Sequence, residues 1–229
     1  MNNINKIEDM ITLQQQLNDA TNGKNWEAGM TKNDKAINWK RCIYMECAEM
    51  VDSFAWKHWK SIAAPADWAN HKIEVVDVWH FVISLALQEY KQKNLGSIDA
   101  LVKKISMFNT YNEICTDEAN YAEESMVITQ VEQLMLDVLK PQLNLDILLD
   151  NFFILVTISG LNLQSLYELY VGKNILNQFR QNNGYKEGNY IKVWNGDEDN
   201  VVMTKLWQDN SALTPELLYT KLDEVYKTL

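Results

Sequence analysis

The sequence predicts an all-α protein, a multi-helix bundle built around a central helical hairpin. Apolar residues recur at helical spacing along most of the chain. Proline is scarce (3) and glycine modest (8) in 229 residues, so few positions interrupt long helices. Apart from Gly172, the glycines and prolines fall between the periodic segments or at their ends. With 47% hydrophobic residues the chain can bury a sizeable core.

The elements follow in order. Ile4, Ile7, Met10, Ile11, Leu13 and Leu17 form a helical stripe over residues 4–18, ended by Thr21-Asn22-Gly23. A polar stretch with Gly29 follows, and periodicity resumes from Ala36 to about Lys60. Residues 63–66, with Pro65, make a connection. The next helix starts near Asp67 and stops before Gly96. Residues 98–114, 125–139, 143–159 and 161–181 read as further helices, punctuated by Pro141 and Gly160. Residues 182–200 (NNGYKEGNYIKVWNGDEDN) are polar and glycine-containing, and read as an ordered or ligand-gated loop. Thr214-Pro215, an N-cap followed by proline at N1, begins a last helix. No internal repeat, low-complexity tract or clear linker divides the chain. The expectation is one all-α domain over residues 1–229, with 97–140 a candidate smaller sub-domain.

Twenty-one basic against thirty-one acidic residues give a net charge of −10, which argues against broad contact with nucleic acid or an anionic membrane. The longest apolar run, residues 75–87, is short for a membrane span and contains Asp77, His80 and Ser84. Cys42, Cys47 and Cys115 are odd in number and lack CxxC spacing, so they read as reduced, partly buried thiols of a cytoplasmic protein. MNNINKIEDMITLQQQ lacks the charged-then-apolar pattern of a secretion signal.

The chemistry gathers on two consecutive helical segments, residues 39–60 (WKRCIYMECAEMVDSFAWKHWK) and 71–91 (HKIEVVDVWHFVISLALQEYK). Glu46 and Glu49 on the first, and Glu74 and Asp77 on the second, are pairs at i, i+3. A turn of about 100° per residue places each pair on one helix face. A hairpin can bring all four carboxylates together among apolar neighbours, where they need partners, and a cluster of hard oxygens suits Mg²⁺. Two or more such ions polarise phosphate oxygens and deprotonate water; Glu46 or Glu49 is the candidate base. Ordinary solvated helix carboxylates are the competing reading, and neither flank leaves a wide polar face.

A second group, Lys173, Asn174, Asn177, Arg180, Asn183, Tyr185, Lys186 and Lys192, is locally basic in an acidic chain and could close over a triphosphate. The plain alternative is a solubilising loop. Trp68 and Trp79 read as core; Trp56, Trp59 and His58 lie near the first acidic pair, and His80 shares a face with Asp77. Gln14 and Asn18, four residues apart on the first helix, are paired amides able to read a pyrimidine edge.

Together, LQQQLNDATNG from Leu13, the segment from Trp39, KIEVVDVWH from Lys72 and VGKNILNQFRQNNGYKEGNYIKVWNGDEDN from Val171 resemble the dimeric all-α dUTPases of the all-α NTP pyrophosphatase superfamily. The match runs through both halves of the chain in order, while residues 95–160 carry no matching motif. The resemblance implies Mg²⁺ held by Glu46, Glu49, Glu74 and Asp77, two or more ions per site, with Mn²⁺ able to substitute. It implies hydrolysis of dUTP, and also dUDP, by attack of a metal-activated water on the α-phosphorus, releasing dUMP and pyrophosphate. It places uracil at Gln14 and Asn18, the base wall at Trp56, Trp59 and His80, and the deoxyribose 3′-hydroxyl at Asp77. Lys173, Asn174, Asn177, Arg180, Tyr185 and Lys186 would hold the phosphates, and the protein would be a homodimer. Three other readings stand beside this one. They are a related pyrophosphatase for another (d)NTP, a di-iron bundle (Asp77-x-x-His80 is present, but the first pair lacks a histidine) and a non-enzymatic helical interaction protein.

Overall fold

The computed structural model describes residues 2–60, 65–116, 118–209 and 214–229. Ten α-helices, one short 3-10 helix and one two-stranded ribbon make up the regular structure of these residues, so the fold is all-α as expected. Part of the expected connection at residues 63–66 lies outside them. The chain divides into two compact units, Met1–Tyr167 and Glu168–Leu229.

The first unit begins with α1 (Asn3–Asn22), whose N-cap Asn2 accepts from the Asn5 amide at 2.8 Å. Ile7, Met10 and Ile11 form its buried stripe, with Gln14 and Asn18 buried on the same face. A short 3-10 helix (Trp26–Ala28) inserts Trp26 into the core, its indole N–H donating to Asp19 at 3.1 Å. α2 (Trp39–Asp52) and α3 (Trp68–Gln92) then pack along each other. Their side chains Ile43, Cys47, Met50, Val75, Val78, Trp79 and Val82 are buried. α4 (Ile98–Ile105), α5 (Asn109–Ile114), α6 (Glu124–Leu139) and α7 (Leu145–Ile158) complete the bundle. α6 packs on α2 and α7, and Trp79 stacks on Phe152 of α7 at 4.6 Å.

α2 stops at Asp52 rather than near Lys60. The Asp52 carboxylate collects the Trp56 indole N–H at 2.8 Å and the Lys57 ammonium at 2.7 Å, which bends the chain back at the helix end. Phe54 then turns inward against Trp68 and His71. The helix expected over 98–114 is two. Ser106 ends α4 by donating its hydroxyl to the Lys103 carbonyl, Phe108 is extended, and α5 restarts at Asn109.

α8 (Leu163–Asn182) runs across the division at Tyr167. In the second unit residues 182–200 are not one loop. After α8 come turns with Gly184 and Gly188 at positive φ, then the antiparallel strands β1 (Val193–Trp194) and β2 (Asp197–Glu198), then α9 (Asp199–Gln208). The ribbon turns through Asn195 and Gly196, both at positive φ, the Asn-Gly pair that a two-residue hairpin favours. Phe179, Tyr190, Trp194, Tyr219 and Tyr226 pack edge to face or stacked, joining α8, the ribbon and α10 (Pro215–Tyr226). Thr214 caps α10 with Pro215 in its first turn, as expected.

Candidate active site

α2 and α3 deliver the acidic residues. Glu46 comes from α2, and Glu74 and Asp77 from one face of α3. One carboxylate oxygen of each lies within 4.8 Å of the other two, and all three side chains are half-buried. Such a set of hard oxygens fits a divalent cation that prefers carboxylate and water ligands. Glu49, the fourth expected member, lies outside this trio. It is exposed, as are Arg41, Ala48 and Asp52, so α2 has a solvent face broader than its composition suggests. Burial, with the Glu46 charge second, pushes the Cys47 thiol up to about 12, which leaves it an inert packing group.

α1 and α3 share a buried polar network. His80 Nδ1 meets Gln14 Oε1 at 2.6 Å, and Gln14 Nε2 donates to Asn18 Oδ1 at 3.2 Å. Gln14 Nε2 also donates to Ser84 Oγ at 3.0 Å, and Asn18 Nδ2 donates to the same oxygen at 2.9 Å. The sequence pointed to Gln14, Asn18 and His80 and missed Ser84. The available signal was a hydroxyl one turn beyond His80, inside an otherwise apolar run.

Trp56 and Trp59 are off the helix, 44% and 63% exposed, edge to face with each other at 5.7 Å. Trp79 is core, but Trp68 is only half-buried, against Phe54, His71 and Tyr121.

In the second unit, Lys173, Asn174, Asn177 and Arg180 lie on α8 and hold an internal network. Arg180 grips Asp199 with two charge-assisted bonds, Nε at 2.8 Å and Nη2 at 2.7 Å, and donates to Asn177 at 3.1 Å. Lys173 donates to Asn200 at 2.9 Å, Tyr190 donates to Asp199 at 2.8 Å, and Asn174 is buried beside Tyr170. Burial pushes the Asp199 carboxyl up, but the Arg180 guanidinium outweighs it and holds it below the usual range. Tyr185 is exposed with the Arg180 guanidinium 5.9 Å from its ring, and Lys186 is exposed. Asp199, Asn200 and Tyr190 were not among the expected residues.

A family model described as dUTPase matches residues 6–185, most of the chain. The chain belongs to the all-α dUTPase family. Its activity is that of a dUTP diphosphatase and its substrate a nucleotide. The matched span contains every site residue named for this dUTPase from the sequence except Lys186 and Lys192. A comparison with curated proteins returns no match. Among the described residues, no helix is long and apolar enough to cross a membrane.

Proposed function

We propose that this dUTPase is a divalent-metal-dependent pyrophosphohydrolase whose reaction is carried by Glu46, Glu49, Glu74 and Asp77. The observation that carries the reading is the convergence of Glu46, Glu74 and Asp77 oxygens within 4.8 Å, inside the family match. Mg²⁺ bound there, two or more ions with Mn²⁺ able to substitute, supplies charge neutralisation at the phosphates and a water of lowered pKa. Glu46 or Glu49 takes the proton of the attacking water. The water oxygen bonds to the α-phosphorus, the bond to the bridging oxygen breaks, and dUMP and pyrophosphate leave. The same attack on dUDP gives dUMP and phosphate. Gln14 and Asn18 read the uracil edge, Asp77 meets the deoxyribose 3′-hydroxyl, and His80, Trp56 and Trp59 wall the base.

On the sequence match alone, Lys173, Asn174, Asn177, Arg180, Tyr185 and Lys186 are proposed to bind phosphates. A phosphate there competes with Asp199 for the Arg180 guanidinium. The protein is read as a cytoplasmic homodimer; three free thiols support the compartment and the family resemblance the dimer.

The decisive experiment is a (d)NTP panel with Mg²⁺ and anion-exchange analysis of products. dUTP should give dUMP and pyrophosphate, with dTTP and UTP poor substrates. Release of phosphate from dUTP, or a faster competitor, overturns the reaction or the substrate.

A further inference from the structure

The outward side of α2 carries a stripe that the described chain leaves open to solvent. Arg41, Met45, Ala48 and Asp52 are all exposed, at steps of four, three and four residues. That alternation is the seam along which one helix packs on another. Its centre is apolar, with Met45 48% exposed beside Ala48. Its ends carry opposite charges, Arg41 at the start of the helix and Asp52 at its last residue. Trp56 and Lys57 both bond to Oδ1 of Asp52, and the side chain is still 58% exposed, so Oδ2 can take a further donor.

Steps of four, three and four read the same in either direction. A two-fold axis across the middle of α2 therefore sets Arg41 against Asp52 of the partner subunit, and Met45 against Ala48 of the partner subunit. Each pair occurs twice, the self-complementary pattern of an isologous interface. In the centre a long side chain meets a short one, which lets the two helices interlock. Parallel pairing would instead set arginine on arginine and aspartate on aspartate, and like charges facing each other select against it.

A standard interface buries about 800 Å² per partner, more than one stripe of four side chains supplies. The neighbouring helix adds to it. α6 packs on α2, and Lys40 Nζ donates to the Lys140 carbonyl at 2.8 Å, joining the start of α2 to the end of α6. At that end of α6, Leu136 and Leu139 are 58% and 60% exposed. Apolar surface of this kind on neighbouring helices marks a place where another protein packs.

We propose that the outer face of α2, flanked by Leu136 and Leu139 of α6, is where a second copy of the chain docks, with the two α2 helices antiparallel and Arg41 paired to Asp52 at each end. The assignment of this face rests on the reading of the protein as a homodimer.

The test measures the mass of the full chain by light scattering and its dimer affinity by sedimentation equilibrium. It compares the wild type, Arg41→Glu, Asp52→Lys, Met45→Lys and the double variant Arg41→Glu with Asp52→Lys, with circular dichroism to check folding. The wild type should have twice the mass of 26.6 kDa. Each single charge reversal sets like charges together at both ends, and Met45→Lys puts a charge in the apolar centre. Each should raise the dimer dissociation constant about a hundredfold. The double variant restores opposite charges and should regain most of the lost affinity. Arg41→Glu and Met45→Lys decide the face alone if Asp52→Lys, which also loses the Trp56 and Lys57 bonds, does not fold. A wild type with the mass of one chain overturns the homodimer reading and this face with it. A dimeric wild type with native affinity in the folded single variants overturns this face and leaves the homodimer standing. Weakened single variants with no recovery in the double variant overturn the antiparallel pairing of Arg41 with Asp52.

Discussion

At the residue scale, Glu46 and Glu74 differ from Glu49 in where they point. Glu46→Gln or Glu74→Gln should abolish dUTP turnover while the helical dichroism stays native. Turnover unchanged in both variants would remove the metal-site assignment. Glu49 stands outside the trio, so Glu49→Gln should lower kcat while weakening Mg²⁺ binding less than Glu46→Gln does, as read by metal titration. The Arg180–Asp199 pair is almost dry, with Asp199 fully buried. Asp199→Ala leaves an uncompensated guanidinium and should destabilise the protein by about 3–5 kcal/mol in urea unfolding. The Asp199 carboxyl is held low, so its contribution is present above the ordinary carboxylate range and is lost as pH falls through the folded value. His71 behaves differently. Burial, with Lys72 second, lowers it to about 4 from 6.5, while its Nε2 meets Ser159 Oγ at 2.8 Å. The unfolded chain then binds the extra proton between these values, so stability is full above 6.5 and declines as pH falls toward 4. His71→Gln should flatten that slope when urea midpoints at about pH 7 and about pH 5 are compared.

At the element scale, most helix starts were legible because capping is local chemistry. Thr214-Pro215 announces α10 in the sequence and caps it in the structure. Helix ends were less legible. α2 ends at Asp52 because that carboxylate holds Trp56 and Lys57 while Phe54 packs on residues of α3, a contact that no periodicity encodes. The ribbon in residues 182–200 had a readable signal in Asn195-Gly196, outweighed by the polarity around it. After α7, Gly160 has φ +67°, and an added Cβ would lie 2.5 Å from Tyr121 ring atoms. Gly160→Ala should therefore cost about 2–4 kcal/mol, visible as a lowered Tm; a native Tm would mean that the Tyr121 ring moves aside freely.

At the scale of the whole molecule, the proposed homodimer should scatter light as twice 26.6 kDa; a mass of one chain would refute it. By itself the sequence determined the all-α class, the spacing of the acidic residues along two consecutive helices and the amides of α1, because helical period, caps and i, i+3 spacing are properties of neighbouring residues. Tertiary structure decided which carboxylates meet. Glu46, Glu74 and Asp77 converge, while Glu49, on the same α2 as Glu46, faces solvent, since packing of α2 on α3 and α6 sets the rotation of the helix. It also decided that Gln14 and Asn18 answer to Ser84, 70 and 66 positions away, and that Arg180 answers to Asp199. Hydrogen bonds between distant positions leave no spacing in the sequence; they exist only once buried polar groups must find partners in a folded interior.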